Sequence, residues 1–143
     1  MPDFKPLSDS VFASEQITLD AIAVAKTEGV TTIINNRPDG EDPSAPQSAS
    51  IEAEALVAGM SYVSIPIGHS GFSEAQIDAM IEALQSAQGS VLAYCRSGTR
   101  STFLWALASA KMGADPDAIT RDAMAAGYDL SPIRPMMDML AAR

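Results

Sequence analysis

The 143-residue chain holds a single cysteine, and it is followed at once by Arg96, Ser97, Gly98, Thr99, Arg100 and Ser101. A thiol acts as a nucleophile when its thiolate is stabilised, and nearby cations or a helix N-terminus do this. The first turn of a helix presents unpaired N–H groups and a partial positive charge, and a small glycine-containing loop before it makes an anion cradle. Residues 91–94 are apolar and read as a strand ending at Cys95, while residues from about 100 onward read as a helix. A lone cysteine after such a strand is commonly only a small buried hydrophobe. Two arginines, two hydroxyls and a glycine between it and a helix favour the other reading, a cysteine nucleophile facing an oxyanion.

The elements that must position this stretch follow from periodicity and punctuation. Residues 11–13 form a short candidate strand after a turn-rich segment at residues 6–9. Thr18 caps a predicted helix over residues 19–28, stopped by Gly29. The β-branched run at residues 30–35 predicts a strand buried on both faces. A Pro-rich loop over residues 36–47 leaves its carboxyl end, and Arg37 stands first after the strand's last asparagines as a candidate rim contact. A helix is expected over residues 49–58, a strand over 62–65, and a loop at 66–72 that contains His69, the sole histidine. Ser73 and Gln76 have capping-box spacing before a helix reaching about residue 86. The helix after Cys95 should run to about residue 112, the next from Asp115-Pro116 to about residue 125, and a last, Met-rich one from Ser131-Pro132. Its methionines suit core packing better than a binding groove. Strands alternating with helices predict a three-layer α/β fold. Its sheet should be mostly parallel and four- to five-stranded, flanked by helices, with the Cys95 strand central and its carboxyl end at the site.

Composition bounds the partners. The length suits one domain over residues 1–143, and 47% hydrophobic residues exclude a disordered chain. The net charge of −9 argues against nucleic acid or an anionic membrane as partner. A small anionic substrate must then be drawn by a local positive field, for which Arg37, Arg96 and Arg100 are the candidates. Metal-ligand spacing is absent, one cysteine and one histidine cannot by themselves build a zinc site, and no cofactor motif is present. An unpaired thiol, with neither a secretory leader nor a membrane-length apolar run, gives a cytoplasmic expectation.

Strand, Cys, loop, Arg and helix is the arrangement of cysteine-dependent phosphatases. Across most of its length the chain resembles the phosphatase-like domain of the beta-lactamase hydrolase-like proteins, a family similar in fold to dual-specificity phosphatases. The resemblance runs through Ser14-Glu15-Gln16, Val30-Thr31-Thr32-Ile33-Ile34-Asn35-Asn36-Arg37-Pro38-Asp39, Tyr62-Val63-Ser64-Ile65-Pro66-Ile67, the Cys95 loop and Trp105-Ala106-Leu107. The loop alone also looks like that of single-domain rhodanese sulfurtransferases, although the rhodanese flanking motifs are missing.

The phosphatase resemblance implies a phosphocysteine formed on Cys95 from a phosphomonoester. The amides from Arg96 to Arg100, through Ser97, Gly98 and Thr99, would bind the phosphoryl oxygens. Arg100 would clamp two of them, and Ser101 would favour the cysteine as leaving group in the second step. His69 falls near the position where dual-specificity phosphatases carry an Asp general acid, and a histidine is suited to proton donation near neutrality. Two departures keep a sulfurtransferase open, with Cys95 carrying a persulfide taken from a sulfane-sulfur donor. The phosphatase signature places one more residue between Cys and Arg than the four found here, and Tyr94 stands where its histidine would. An anion-binding or redox-sensing module, with Cys95 reversibly oxidised, is the non-enzymatic alternative.

Overall fold

Side-chain alternation along the strand that delivers Cys95 divides the interior in two. Val91 and Ala93 point into one apolar cluster, and Leu92 and Tyr94 into another, so the strand is buried on both faces. The computed structural model describes residues 3–142. Its strands are β1 (Lys5–Pro6), β2 (Val11–Ser14), β3 (Val30–Asn35), β4 (Ser61–Ser64) and β5 (Ser90–Tyr94). They form one sheet in the order β1-β2-β5-β3-β4, which places β5 at the centre as the alternating pattern predicts. β1 pairs antiparallel with β2, and the remaining pairs are parallel. Parallel neighbours need crossover connections, which the helices supply.

Helices α1 (Leu19–Thr27) and α2 (Ser48–Val57) cover one face, burying Ile22, Ala25, Ile51 and Ala55 against Ile33, Leu92 and Tyr94. Helices α3 (Glu74–Ser86), α4 (Thr99–Lys111), α5 (Pro116–Ala125) and α6 (Arg134–Ala141) cover the other. Each fully buried Leu or Ile in these layers is worth about 1.5–3 kcal/mol of transfer free energy. α4 is the innermost helix. Leu104, Ala106, Leu107, Ala108 and Ala110 are buried along it, so the helix that follows the Cys95 loop has little freedom to move.

The expected caps are in place. Thr18 Oγ1 accepts from Ala21 N at 3.2 Å, and Ser73 and Gln76 exchange side-chain and backbone bonds as a capping box. The Asp115 carboxylate accepts from Asp117 N. Besides shifts of one residue at the ends of β2, α1 and α2, the structure differs from the sequence expectation at both ends of the chain and at β4. Lys5–Pro6 is a strand, because a two-residue edge partner with one proline gives no periodic signal. The last helix opens with a 3-10 turn at Ser131–Ile133, and of its methionines Met137 is in the core while Met139 faces outward. The edge strand β4 begins one residue earlier than expected, at Ser61. Among the described residues no helix is long and apolar enough to cross a membrane.

Candidate active site

Hydrogen bonds on both flanks hold the end of β5. Cys95 N donates to Ser14 O at 3.3 Å, and Tyr94 O accepts from Asn36 N at 2.8 Å. The chain then turns through Arg96 and Ser97 to Gly98, the N-cap of α4, whose φ of +89° is a left-handed conformation that only glycine adopts without strain. Space requires glycine there as well, since a Cβ would stand 2.2 Å from the Tyr128 hydroxyl. The loop carbonyls are tied from outside. Arg96 O accepts from Gln16 N at 3.2 Å, Ser97 O from Tyr128 Oη at 3.3 Å, and Gly98 O from Thr102 N and Oγ1 at 2.9 and 2.8 Å. Of the amides in these peptide units, Thr99 N turns to Ser97 Oγ at 3.4 Å. Gly98 N reaches Cys95 Sγ at 3.2 Å. Ser97 Oγ bonds Thr99 Oγ1 at 3.0 Å on the exposed side of the loop. Burial raises the Tyr128 phenol pKa, with the neighbouring Cys95 sulfur adding to the effect.

Arg100 leaves the first turn of α4 and enters a network. Its Nη1 donates to Ile67 O at 2.7 Å and to Glu41 Oε2 at 2.7 Å, and its Nη2 donates to Glu41 Oε1 at 2.9 Å. Arg37 Nε donates to the same Oε1 at 2.9 Å, and Arg37 Nη1 to Gln16 Oε1 at 3.0 Å. Glu41 is therefore held by two guanidiniums. The Arg100 bond, foremost, and Arg37 together outweigh partial burial and bring its carboxyl down to about 2. Arg100 is correspondingly raised, first by Glu41 and further by its interaction with the Cys95 sulfur.

Ser101 is fully buried, and its Oγ donates to Asn36 Oδ1 at 2.8 Å. Asn36 Nδ2 in turn donates to Ile65 O at 3.0 Å, which fixes the amide's orientation. One side chain thus ties the ends of β3 and β4 to the start of α4. In this arrangement the Ser101 proton is directed to Asn36 rather than to the cysteine sulfur.

A cleft of about 540 Å³ opens beside the loop, lined by Arg37, Glu41, Asp42, His69, Arg96 and Arg100. Four residues selected from sequence therefore meet there: Arg37, Arg96, Arg100 and exposed His69. Ser97, Gly98 and Thr99 form the loop, and Cys95 lies buried beneath it. Three guanidiniums against two carboxylates leave the cleft with one excess positive charge on an acidic protein. Tyr94 points away, into the α1/α2 cluster, because alternation puts it on the opposite face from the loop. Sequence reasoning missed Glu41, Asn36, Gln16 and Tyr128. Only Glu41 had a local signal, four residues after Arg37 in a loop that leaves a strand's carboxyl end. Among the described residues no group of three His, Cys, Asp or Glu is placed to hold a metal ion.

Known proteins share this architecture. A candidate phosphatase of Neisseria meningitidis, known from its crystal structure, superposes with a TM-score of 0.81 at 32% identity, covering 94% of this chain and 96% of that one. P. aeruginosa TpbA in complex with pTyr shares the fold at 19% identity and a TM-score of 0.66, over 97% of this chain and 88% of that one. The beta-lactamase hydrolase-like protein of Xylella fastidiosa is 34% identical over 125 residues, which is 87% of this chain but 29% of that protein. The chain thus spans less than a third of that curated relative's length. Residues 3–112 match the phosphatase-like domain of the beta-lactamase hydrolase-like proteins. With a cysteine-phosphatase-type fold around the Cys95 loop, this chain belongs to that phosphatase-like domain family.

Proposed function

We propose that the domain hydrolyses phosphomonoesters through a phosphocysteine on Cys95. The observation that carries this reading is the Gly98 N–H···Sγ bond of 3.2 Å at the end of the central strand, with Arg100 lining the cleft beside the same loop. The Cys95 thiolate attacks phosphorus and the S–P bond forms as the ester P–O bond breaks. The leaving oxygen takes a proton, for which His69 on the cleft wall is the candidate donor. Water then attacks phosphorus, its proton passes to the same base, and the P–S bond breaks to return the thiolate and release phosphate. Amides of the loop and the Arg100 fork would stabilise the equatorial oxygens in both steps. Arg37 and Arg96 would add attraction for a small anionic substrate. A phosphotyrosine complex of the same fold makes an aryl phosphate the natural first probe.

The short spacing, four residues between Cys95 and Arg100, favours the second reading, a rhodanese-type sulfurtransferase in which Cys95 holds a persulfide. One preparation decides between them. Aryl phosphate hydrolysis and thiosulfate-dependent sulfur transfer are measured for the wild type and Cys95→Ser. Hydrolysis lost in the variant, with no sulfur transfer in the wild type, supports the phosphatase. An intact-mass gain of one sulfur on the wild type, absent from the variant, overturns it in favour of sulfur transfer.

A further inference from the structure

The fork of Arg100 is already occupied. Glu41 Oε1 and Oε2 take the two terminal nitrogens of the guanidinium at 2.9 and 2.7 Å, a bidentate geometry. A tetrahedral oxyanion gripped end-on by that fork would need the same two nitrogens, Nε being the guanidinium nitrogen that Glu41 does not touch. The second guanidinium of the cleft, Arg37, is committed to the same carboxylate, and its remaining contact goes to Gln16. Beneath them Cys95 is fully buried, although a nucleophile must meet phosphorus directly.

We propose that Glu41 is a built-in competitor for the anion site: its carboxylate stands where two substrate oxygens would bind, and an incoming oxyanion must displace it from Arg100. The proposal rests on Arg100 being the anion clamp of the reaction given above. The backbone on either side of Glu41 is pinned by one side chain, since Gly40 N donates to Gln47 Oε1 at 2.8 Å and Gln47 Nε2 donates to Asp42 O at 3.0 Å. Ser48 N donates to Asp39 Oδ1 at 2.8 Å and closes the same loop. The exchange is therefore a rotation of the Glu41 side chain within a fixed loop.

The test uses inorganic phosphate as probe and the full chain. Its dissociation constant is measured by titration calorimetry for the wild type, Glu41→Gln and Glu41→Asp, with thermal melts confirming that each is folded. Displacement predicts binding at least about tenfold tighter for Glu41→Gln, because no anion then opposes phosphate at Arg100. Glu41→Asp keeps the charge but shortens the reach, and it should fall between. Unchanged or weaker binding in folded Glu41→Gln overturns the proposal and makes Glu41 a residue that positions Arg100. Absence of phosphate binding in both proteins overturns it equally. The binding measurement needs no turnover, so it separates from the catalytic reading. Tighter binding without aryl phosphate hydrolysis keeps the competitor and removes the phosphatase. Cys95-dependent hydrolysis with unaltered phosphate binding does the reverse.

Discussion

Asn36 Oδ1 accepts the hydroxyl proton of Ser101 across 2.8 Å, and both side chains are fully buried. The bond joins the end of β3 to the first turn of α4 and so sets the distance between the strand ends and the Cys95 loop. A buried donor or acceptor left without a partner costs about 1–3 kcal/mol. Asn36→Ala strands both the Ser101 hydroxyl and Ile65 O, which the Asn36 amide otherwise serves. It should lower the unfolding free energy by roughly 2–4 kcal/mol. Ser101→Ala strands only the Asn36 oxygen and should cost less. The double variant should cost less than the sum of the singles, because the shared bond is counted once. Denaturant unfolding of the three proteins checks all of this, and strict additivity would show that the two groups are not coupled.

Residues local in sequence made the loop readable, and residues distant in sequence hid its partners. Cys95, Arg96, Ser97, Gly98, Thr99 and Arg100 are contiguous, so residue type alone assembles the candidate loop. Strand β3 was clear because its β-branched residues fill both faces of a buried position. Cap residues gave most helix starts to within one residue. The Glu41–Arg100 pair spans fifty-nine residues, and the spacing of Glu41 from Arg37 within the Pro-rich loop does not indicate Arg100 as its partner. Tyr128 lies between two helices, thirty-one residues from Ser97, and its hydroxyl backs the loop at Ser97 O. Contacts of this kind depend on how layers stack, which periodicity within one element does not encode.

Gly98 should tolerate no side chain. A methyl there adopts a left-handed backbone and stands 2.2 Å from Tyr128 Oη. Strain at such a position costs about 1–3 kcal/mol before any clash. Gly98→Ala should therefore destabilise the protein and misalign the amide that reaches Cys95. Placed in a Tyr128→Phe background, which removes the clashing hydroxyl, the same change should cost less while the backbone strain persists. Thermal denaturation of the two Gly98→Ala proteins against their own parents reads the difference. Equal costs would remove Tyr128 from the account.

Glu41 should also leave a mark on stability against pH. Its carboxyl lies at about 2, below its ordinary value near 4.5, because Arg100 and Arg37 favour the charged form. A depressed carboxyl contributes stability that is fully present above the ordinary value and is lost as pH falls through the folded one. Asp42, Asp117 and Asp129 are lowered as well, so the useful quantity is the difference between wild type and Glu41→Gln. That difference should be constant above about pH 5, favour the wild type there, and shrink steadily toward pH 2. Unfolding midpoints over this range test it. A difference that does not change with pH would mean that the ion pair contributes nothing to folding.

Arg100→Lys should reduce turnover far more than its conserved charge suggests. An ammonium offers one point of contact where the guanidinium offers a planar fork, so bidentate grip on an oxyanion is lost. Removing one oxyanion donor in comparable sites costs about 10²–10³ in kcat. The same substitution also breaks the two-pronged hold on Glu41. A drop of about 10² in kcat for aryl phosphate, with the fold intact, is the expected result. Retention of most of the activity would mean that the loop amides alone carry the oxyanion.

Leaving-group dependence reads the role of His69 in proton delivery. The residue is exposed on the cleft wall, opposite a loop whose carboxylates Glu41 and Asp42 face the same space. Of these, Glu41 is held ionised by two arginines and Asp42 is lowered by its bonds to Ser44, so neither carries a proton to give near neutrality. A general acid contributes about 10²–10⁴ when the departing oxygen is basic. It contributes little when that oxygen leaves readily as an anion. His69→Ala should therefore lower kcat by about 10² or more on an alkyl phosphate and leave an activated nitrophenyl ester almost unaffected. Equal effects on both esters would assign His69 to binding, and no effect on either would leave proton delivery to solvent water.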